Sequence, residues 1–238
     1  PFLGPLVGIR SGQFTIPTSG ENSTEIYYEI KITATDSNGL TTTKSVNILP
    51  VVVNLNFVTN PSNLNVLLDS QLLTTPNLAP SVVGFKREIN VAPMQLLAGN
   101  YYQFDSWSDG GIMKHFLTTP NVNSTITANL KPTPPFTTTY FNNVNLSGNP
   151  VLTRNEGMID YDFGNGPPAP NVNSDNFSIR FVKQHYFNVG SYKFDTLSDD
   201  GVRLYIDNVV VIDKWVDQGS TLHSATVNLT EGDHEIKL

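Results

Sequence analysis

Apolar residues in this chain recur at every second position, and no stretch shows the three-to-four spacing of an amphipathic helix. Ile26, Tyr28, Ile30, Ile32 and Ala34 fall on one side of an extended segment, because successive side chains of a strand point to opposite faces. Asp36-Ser37-Asn38-Gly39 follows as a turn, in which Asn and Gly accept positive φ. Residues 43–48 then return, so the segment reads as a hairpin. The same pattern places strands at 51–58, 64–68, 88–91, 101–107, 124–130, 177–182, 191–197, 202–206 and 209–212, with Asp207-Asn208 joining the last two tightly. Only 15% of residues are charged, beside 17 Gly and 16 Pro. Asn, Ser, Thr and Gln must therefore supply the polar surface, which suits short strands and many turns. The expected fold class is all-β, as tandem antiparallel β-sandwich domains.

Four segments are expected. Residues 1–49 read as the C-terminal strands of an incomplete Ig-like domain. YEIKITATDSNGLTTTKSVNI resembles the end of the Ig-like domains strung along secreted bacterial proteins. After Pro50, residues 50–131 form a small β-sandwich accessory unit. Residues 132–137 lie in KPTPPFTTT, whose Pro/Thr composition predicts an extended, stiff linker. Residues 138–238 form the last unit.

The formal charge of −7 repels phosphate backbones and anionic lipid, which argues against nucleic acid as a partner. No run of 18 apolar residues exists to insert in a membrane as a helix. Without cysteine there is no disulfide, thiolate zinc site or cysteine nucleophile. His115, His185, His223 and His234 lack the short spacing of a helical zinc motif. No nucleophile elbow, phosphate loop or marked carboxylate pair for glycoside chemistry appears. The sequence thus names no catalytic residue and predicts a protein that is not an enzyme. An acidic surface suits calcium, whose ligands are oxygens; it equally serves solubility.

One ten-residue pattern occurs twice: YQFDSWSDGG at 102–111 and YKFDTLSDDG at 192–201. Each reads as a strand entering an acidic loop. Asp199 and Asp200, adjacent at a strand end, repel each other unless a cation neutralises them, and calcium would do so. The same four residues, Ser198-Asp199-Asp200-Gly201, also make an ordinary turn. Trp107 and Trp215 read either as core residues or as platforms for a sugar face. Sequons at Asn22, Asn123, Asn145, Asn176 and Asn228 are glycosylation candidates. Their number is what chance gives in a chain this rich in Asn, Ser and Thr.

TYFNNVNLSGNPVLTRNEGMIDYDFGNGPPAPNVNSDNFSIRF, followed by YKFDTLSDDGVRLYIDNVVVIDKWVDQ, resembles the PA-fourteen (protective-antigen-type, lectin-like) domain. The resemblance spans residues 139–238. It implies an antiparallel β-barrel-like sandwich, C-terminally incomplete here. It also implies calcium at Asp199 and Asp200, joined by a cis peptide, with carbohydrate as the ligand. A further ligand from a second loop, commonly Asn, has no assigned counterpart. Trp215 and Asp217 lie in that region as ligand-binding candidates, with Asp213 beside them. The middle unit resembles accessory domains of large secreted bacterial proteins, on Trp107-Ser108-Asp109-Gly110-Gly111 and His115. Together these readings predict an extracellular or cell-surface carbohydrate-binding adhesion module. The alternatives are a glycosylated stalk or filament repeat that contacts neighbouring copies, and an accessory region of a secreted carbohydrate-active enzyme.

Overall fold

A computed structural model of the chain describes residues 3–20 and 23–238, so the sequon at Asn22 lies outside the described residues. Among the described residues the fold is all-β, with no helix.

β1 (Tyr28–Thr35) and β2 (Thr41–Ile48) pair antiparallel as a two-stranded sheet. The Asp36 carboxylate closes their turn by accepting the Asn38 and Leu40 N–H groups at 2.8 and 2.9 Å. Ile32 and Val46 stay largely exposed. Alternation here defines the strand without burying it.

The chain divides into two compact units, residues 1–92 with 104–130 and residues 93–103 with 131–238. The strands that follow the hairpin are β3 (Val52–Asn60), β4 (Asn65–Leu68), β5 (Gln71–Thr74), β6 (Asn77–Val82), β7 (Lys86–Asn90), β8 (Met94–Leu97), β9 (Asn100–Trp107), β10 (His115–Thr118) and β11 (Ser124–Pro132). In the first unit, β10-β7-β4-β5 form one sheet, and β6, β3, β11 and β9 lie side by side in another. β3 and β11 run parallel, with Leu55 opposite Ser124 and Phe57 opposite Ile126. Period-two burial puts Val53, Leu55, Phe57 and Thr59 of β3 inside. Val66, Ile89, Ile126 and Ala128 join them in the core. Each large apolar side chain so buried stabilises the unit by about 1.5–3 kcal/mol.

The second unit continues with β12 (Phe136–Phe141), β13 (Leu152–Glu156), β14 (Ser178–Phe187), β15 (Gly190–Ser198), β16 (Val202–Ile206), β17 (Val209–Lys214), β18 (Thr221–Leu229) and β19 (Gly232–Lys237). A six-stranded sheet in the order β13-β12-β14-β19-β16-β17 faces the pair β15-β18. Phe187, Val202, Leu204, Ile206 and Ile212 of the larger sheet pack against Tyr192, Phe194, Ala225, Val227 and Leu229 of the smaller. Positive φ at Asp207 and Asn208, 50° and 64°, gives the two-residue turn between β16 and β17.

The Pro/Thr stretch is less of a linker than its composition suggests. β11 reaches Pro132 and β12 begins at Phe136, which leaves only residues 133–135 outside strands. Thr137, Thr138 and Thr139 are β-branched and pair with both β13 and β14, and Thr138 is fully buried. Composition recorded the prolines and missed the strand beside them.

Beyond β13, one polar cluster fixes the long segment that leads to β14. The Glu156 carboxylate accepts from Tyr140 Oη and Tyr161 Oη, each at 2.7 Å, and from Arg154 Nε. Burial, then Glu156, pushes the Tyr140 phenol up to about 12. The Tyr161 ring stacks on Phe163 and Phe181.

Candidate ligand-binding loop

β15 alternates strictly. Tyr192, Phe194 and Thr196 turn inward, and Lys193, Asp195 and Leu197 outward. The strand ends at Ser198 and the chain reaches β16 through Asp199, Asp200 and Gly201, with a cis peptide between the two aspartates. Gly201 is dictated by contact. A Cβ there would lie 2.7 Å from Val216 N and 2.9 Å from Lys214 O, backbone atoms at the end of β17 and in the segment that follows it.

That segment returns a second tie through Gln218. Its backbone N–H donates to Asp200 Oδ1 at 3.3 Å. Its side-chain amide donates to the Asp200 carbonyl at 3.1 Å and to Ser198 Oγ at 3.2 Å. Its Oε1 faces His223 Nε2 at 3.1 Å. Gln218 is thus the second-loop residue that touches the paired aspartates. Sequence reasoning passed over it because a single Gln in a loop carries no motif.

The other candidates are distributed differently. Asp213 is engaged by Arg203 Nε at 2.6 Å, and the Arg203 guanidinium lies 5.0 Å from the Trp215 ring centre. Asp213 is therefore spoken for, and one face of half-buried Trp215 is covered by a cation. Asp217 is exposed and precedes Gln218. Trp107 is a core residue, 3% exposed, with its indole N–H donated to the Met113 carbonyl at 3.0 Å. Asn123, Asn145, Asn176 and Asn228 are all exposed.

The donor set at 198–201 consists of hard oxygens, two carboxylates and the loop carbonyls, which fits calcium better than a softer metal. Among the described residues no Lys, Arg or His pairs with Asp199 or Asp200, so the two negative charges have no protein counter-ion. Also among the described residues, no three His, Asp or Glu converge as a metal-binding group. A calcium ion here would therefore rest on the two aspartates and on neutral oxygens.

Residues 133–238 match the PA14 domain model. Over 103 residues the chain is 38% identical to the anti-sigma-I factor RsgI3 of Acetivibrio thermocellus, which covers 42% of this chain and 16% of that protein. A solved anti-sigma factor domain-containing protein is 34% identical, with a TM-score of 0.41, over 44% of this chain and 37% of its own. Another, from Clostridium clariflavum, is 17% identical with a TM-score of 0.40, over 79% and 67% of the two chains. The identity to RsgI3 carries the relation, and the superpositions do not. It corrects the functional expectation of an adhesion module: this relative is an anti-sigma-I factor.

Proposed function

Residues 133–238 are a PA14 domain, and from that premise we propose that this chain is the ligand-sensing part of an anti-sigma-factor-type regulator. Its signal is an extracellular carbohydrate received at the Asp199–Asp200 loop. The observation that carries the reading is the 38% identity to the anti-sigma-I factor over 103 residues, beside the PA14 match over the residues that hold this loop. This chain spans 16% of that relative, so sigma-factor control would reside in parts of the regulator outside it. No helix among the described residues is long and apolar enough to cross a membrane, which says nothing of β-barrels.

Chemically, the loop supplies what a hydroxyl-rich ligand needs. Calcium, when held by Asp199 and Asp200, would supply open coordination positions for vicinal hydroxyls. Gln218 would fix the second loop against the first through the three hydrogen-bonded groups at Ser198 and Asp200. Trp215, steadied by Arg203, would offer its remaining face to a sugar ring. Asp217, exposed beside Gln218, would offer a further acceptor. Single contacts of this kind are weak, and a polymeric glycan would raise the affinity through several engagements.

The test is glycan-array binding by the 238-residue chain with calcium, repeated with chelator and with the Asp199→Asn/Asp200→Asn pair. The expected result is binding to at least one glycan, lost under both changes. A folded chain that binds nothing across the array contradicts the reading.

A further inference from the structure

Toward the Asp199–Asp200 loop, the inward side of the smaller sheet turns from apolar to polar. Its period-two residues pair across β15 and β18: Tyr192 with Val227 and Phe194 with Ala225 in the core, then Thr196 with His223 and Ser198 with Thr221. Packing alone gives no reason for this change, because a polar group taken from water destabilises unless it is hydrogen-bonded. Thr196 Oγ1 is sealed at this level without a partner. His223, opposite it, is half-buried and has one: its Nε2 meets Gln218 Oε1 at 3.1 Å.

An amide oxygen only accepts, so the neutral His223 ring must carry its proton on Nε2. With Oε1 so engaged, the Gln218 NH2 group donates on its other side, to the Asp200 carbonyl at 3.1 Å and to Ser198 Oγ at 3.2 Å. A flipped amide would set its oxygen against the Asp200 carbonyl and its NH2 against a ring N–H. The tie from β18 to the loop therefore has one arrangement. Its middle member is also neutral. At the other acidic loop, His115 bonds the Asp109 carboxylate itself. Here the imidazole reaches Asp200 only through an amide, so the loop is held without a base on its carboxylates, where it would compete with a cation.

We propose that His223 is a positioning residue for the Asp199–Asp200 loop, fixing the Asp200 carbonyl and the Ser198 hydroxyl through Gln218. The inference rests on the reading of that loop as a calcium-dependent ligand site. Groups that orient metal ligands without touching the metal change affinity by about 10–100-fold when removed.

The experiment compares the 238-residue chain with His223→Leu, which keeps bulk and removes the donor, and His223→Gln, whose side-chain N–H stands in for Nε2–H. Calcium affinity is measured by calorimetry. NMR of the calcium-free proteins reads the His223 tautomer and the exchange of the Gln218 side-chain amide with water. The expected result is a calcium affinity about tenfold or more weaker in His223→Leu, restored for the most part in His223→Gln. In the calcium-free state, a neutral Nε2–H ring and a Gln218 amide that exchanges faster only in His223→Leu are expected. Wild-type affinity in His223→Leu, or an equal loss in both variants, overturns the proposal, as does a neutral Nδ1–H ring. A wild type that takes up no calcium contradicts the calcium reading of the loop; the positioning role then stands or falls on the Gln218 exchange, and exchange indifferent to His223→Leu overturns it. The wild-type tautomer decides by itself if His223→Leu does not fold.

Discussion

The ten-residue pattern that occurs twice has two outcomes. In YQFDSWSDGG the loop is closed upon itself: Asp109 accepts the Gly111 N–H at 3.1 Å and engages His115 Nε2 at 2.9 Å, and His115 Nδ1 meets the Ile112 carbonyl at 2.6 Å. Trp107 sits in the core beneath, with its ring edge-on to His115 at 6.0 Å. In YKFDTLSDDG the positions of Trp107 and Asp109 fall to Leu197, 70% exposed, and Asp199, whose carboxylate has no hydrogen bond or ion pair among the described residues. The acidic loop is the same device in both. What differs is whether a nearby base has been supplied from within. Where it has, the loop is a structural clasp; where it has not, two adjacent carboxylates stand without a base beside them, and Asp200 is met by the Gln218 N–H.

The largest effect expected from this contrast is at the strand ends. Trp107→Ala should cost about 3–5 kcal/mol in chemical denaturation, whereas Leu197→Ala, at the matching position, should stay within about 0.5 kcal/mol of wild type. Equal losses would mean the two loops are not built differently. Next come the matched glycines. Gly201→Ala puts a methyl against the backbone of Lys214 and Val216 and should cost about 1–3 kcal/mol while weakening ligand binding. Gly111→Ala meets the His115 ring instead, which must swing away and release Asp109. A spectrum of Gly111→Ala with His115 still bonded to Asp109 would refute the clasp.

A smaller effect is acid sensitivity. Burial raises the Asp109 carboxyl, but His115 and the Gly111 N–H outweigh it and hold Asp109 below the usual carboxylate range. Its stabilisation is therefore complete above the unfolded-state value and is lost as pH falls through the lowered folded value. Asp109→Asn should flatten the acid limb of the stability curve; an unchanged limb would assign it to other carboxylates. The smallest effect lies on the opposite limb. Both nitrogens of His234 face acceptors, Asp207 Oδ2 at 2.5 Å and the Thr230 carbonyl at 3.1 Å. Asp207 first, then Thr230, raise the His234 titration. This clasp is fully present below the unfolded histidine value and is lost as pH rises through the higher folded one. His234→Gln should remove that dependence, read as melting temperature between pH 5 and 9.

Alternation made most strands legible, because buried and exposed residues on β3, β15 and β16 differ sharply in polarity. β18 was missed since its inward residues include Thr221 and His223 while Leu222 points out, 61% exposed. β12 was hidden in a run of Thr and Pro. At the candidate site, Asp199 and Asp200 could be named from their adjacency. That Asp213 is taken by Arg203, and that Gln218 spans to Ser198 and Asp200, depends on register across β16–β17 and on a loop return. Neither has a sequence period.

The most direct test of the open loop is calorimetric titration of calcium into the 238-residue chain beside its Asp200→Ala variant. Saturable binding by the wild type, absent from the folded variant, is the result predicted for a loop whose carboxylates await a ligand. A folded wild type that takes up no calcium, or a variant that takes it up equally well, would show that Asp199 and Asp200 form a turn and nothing more.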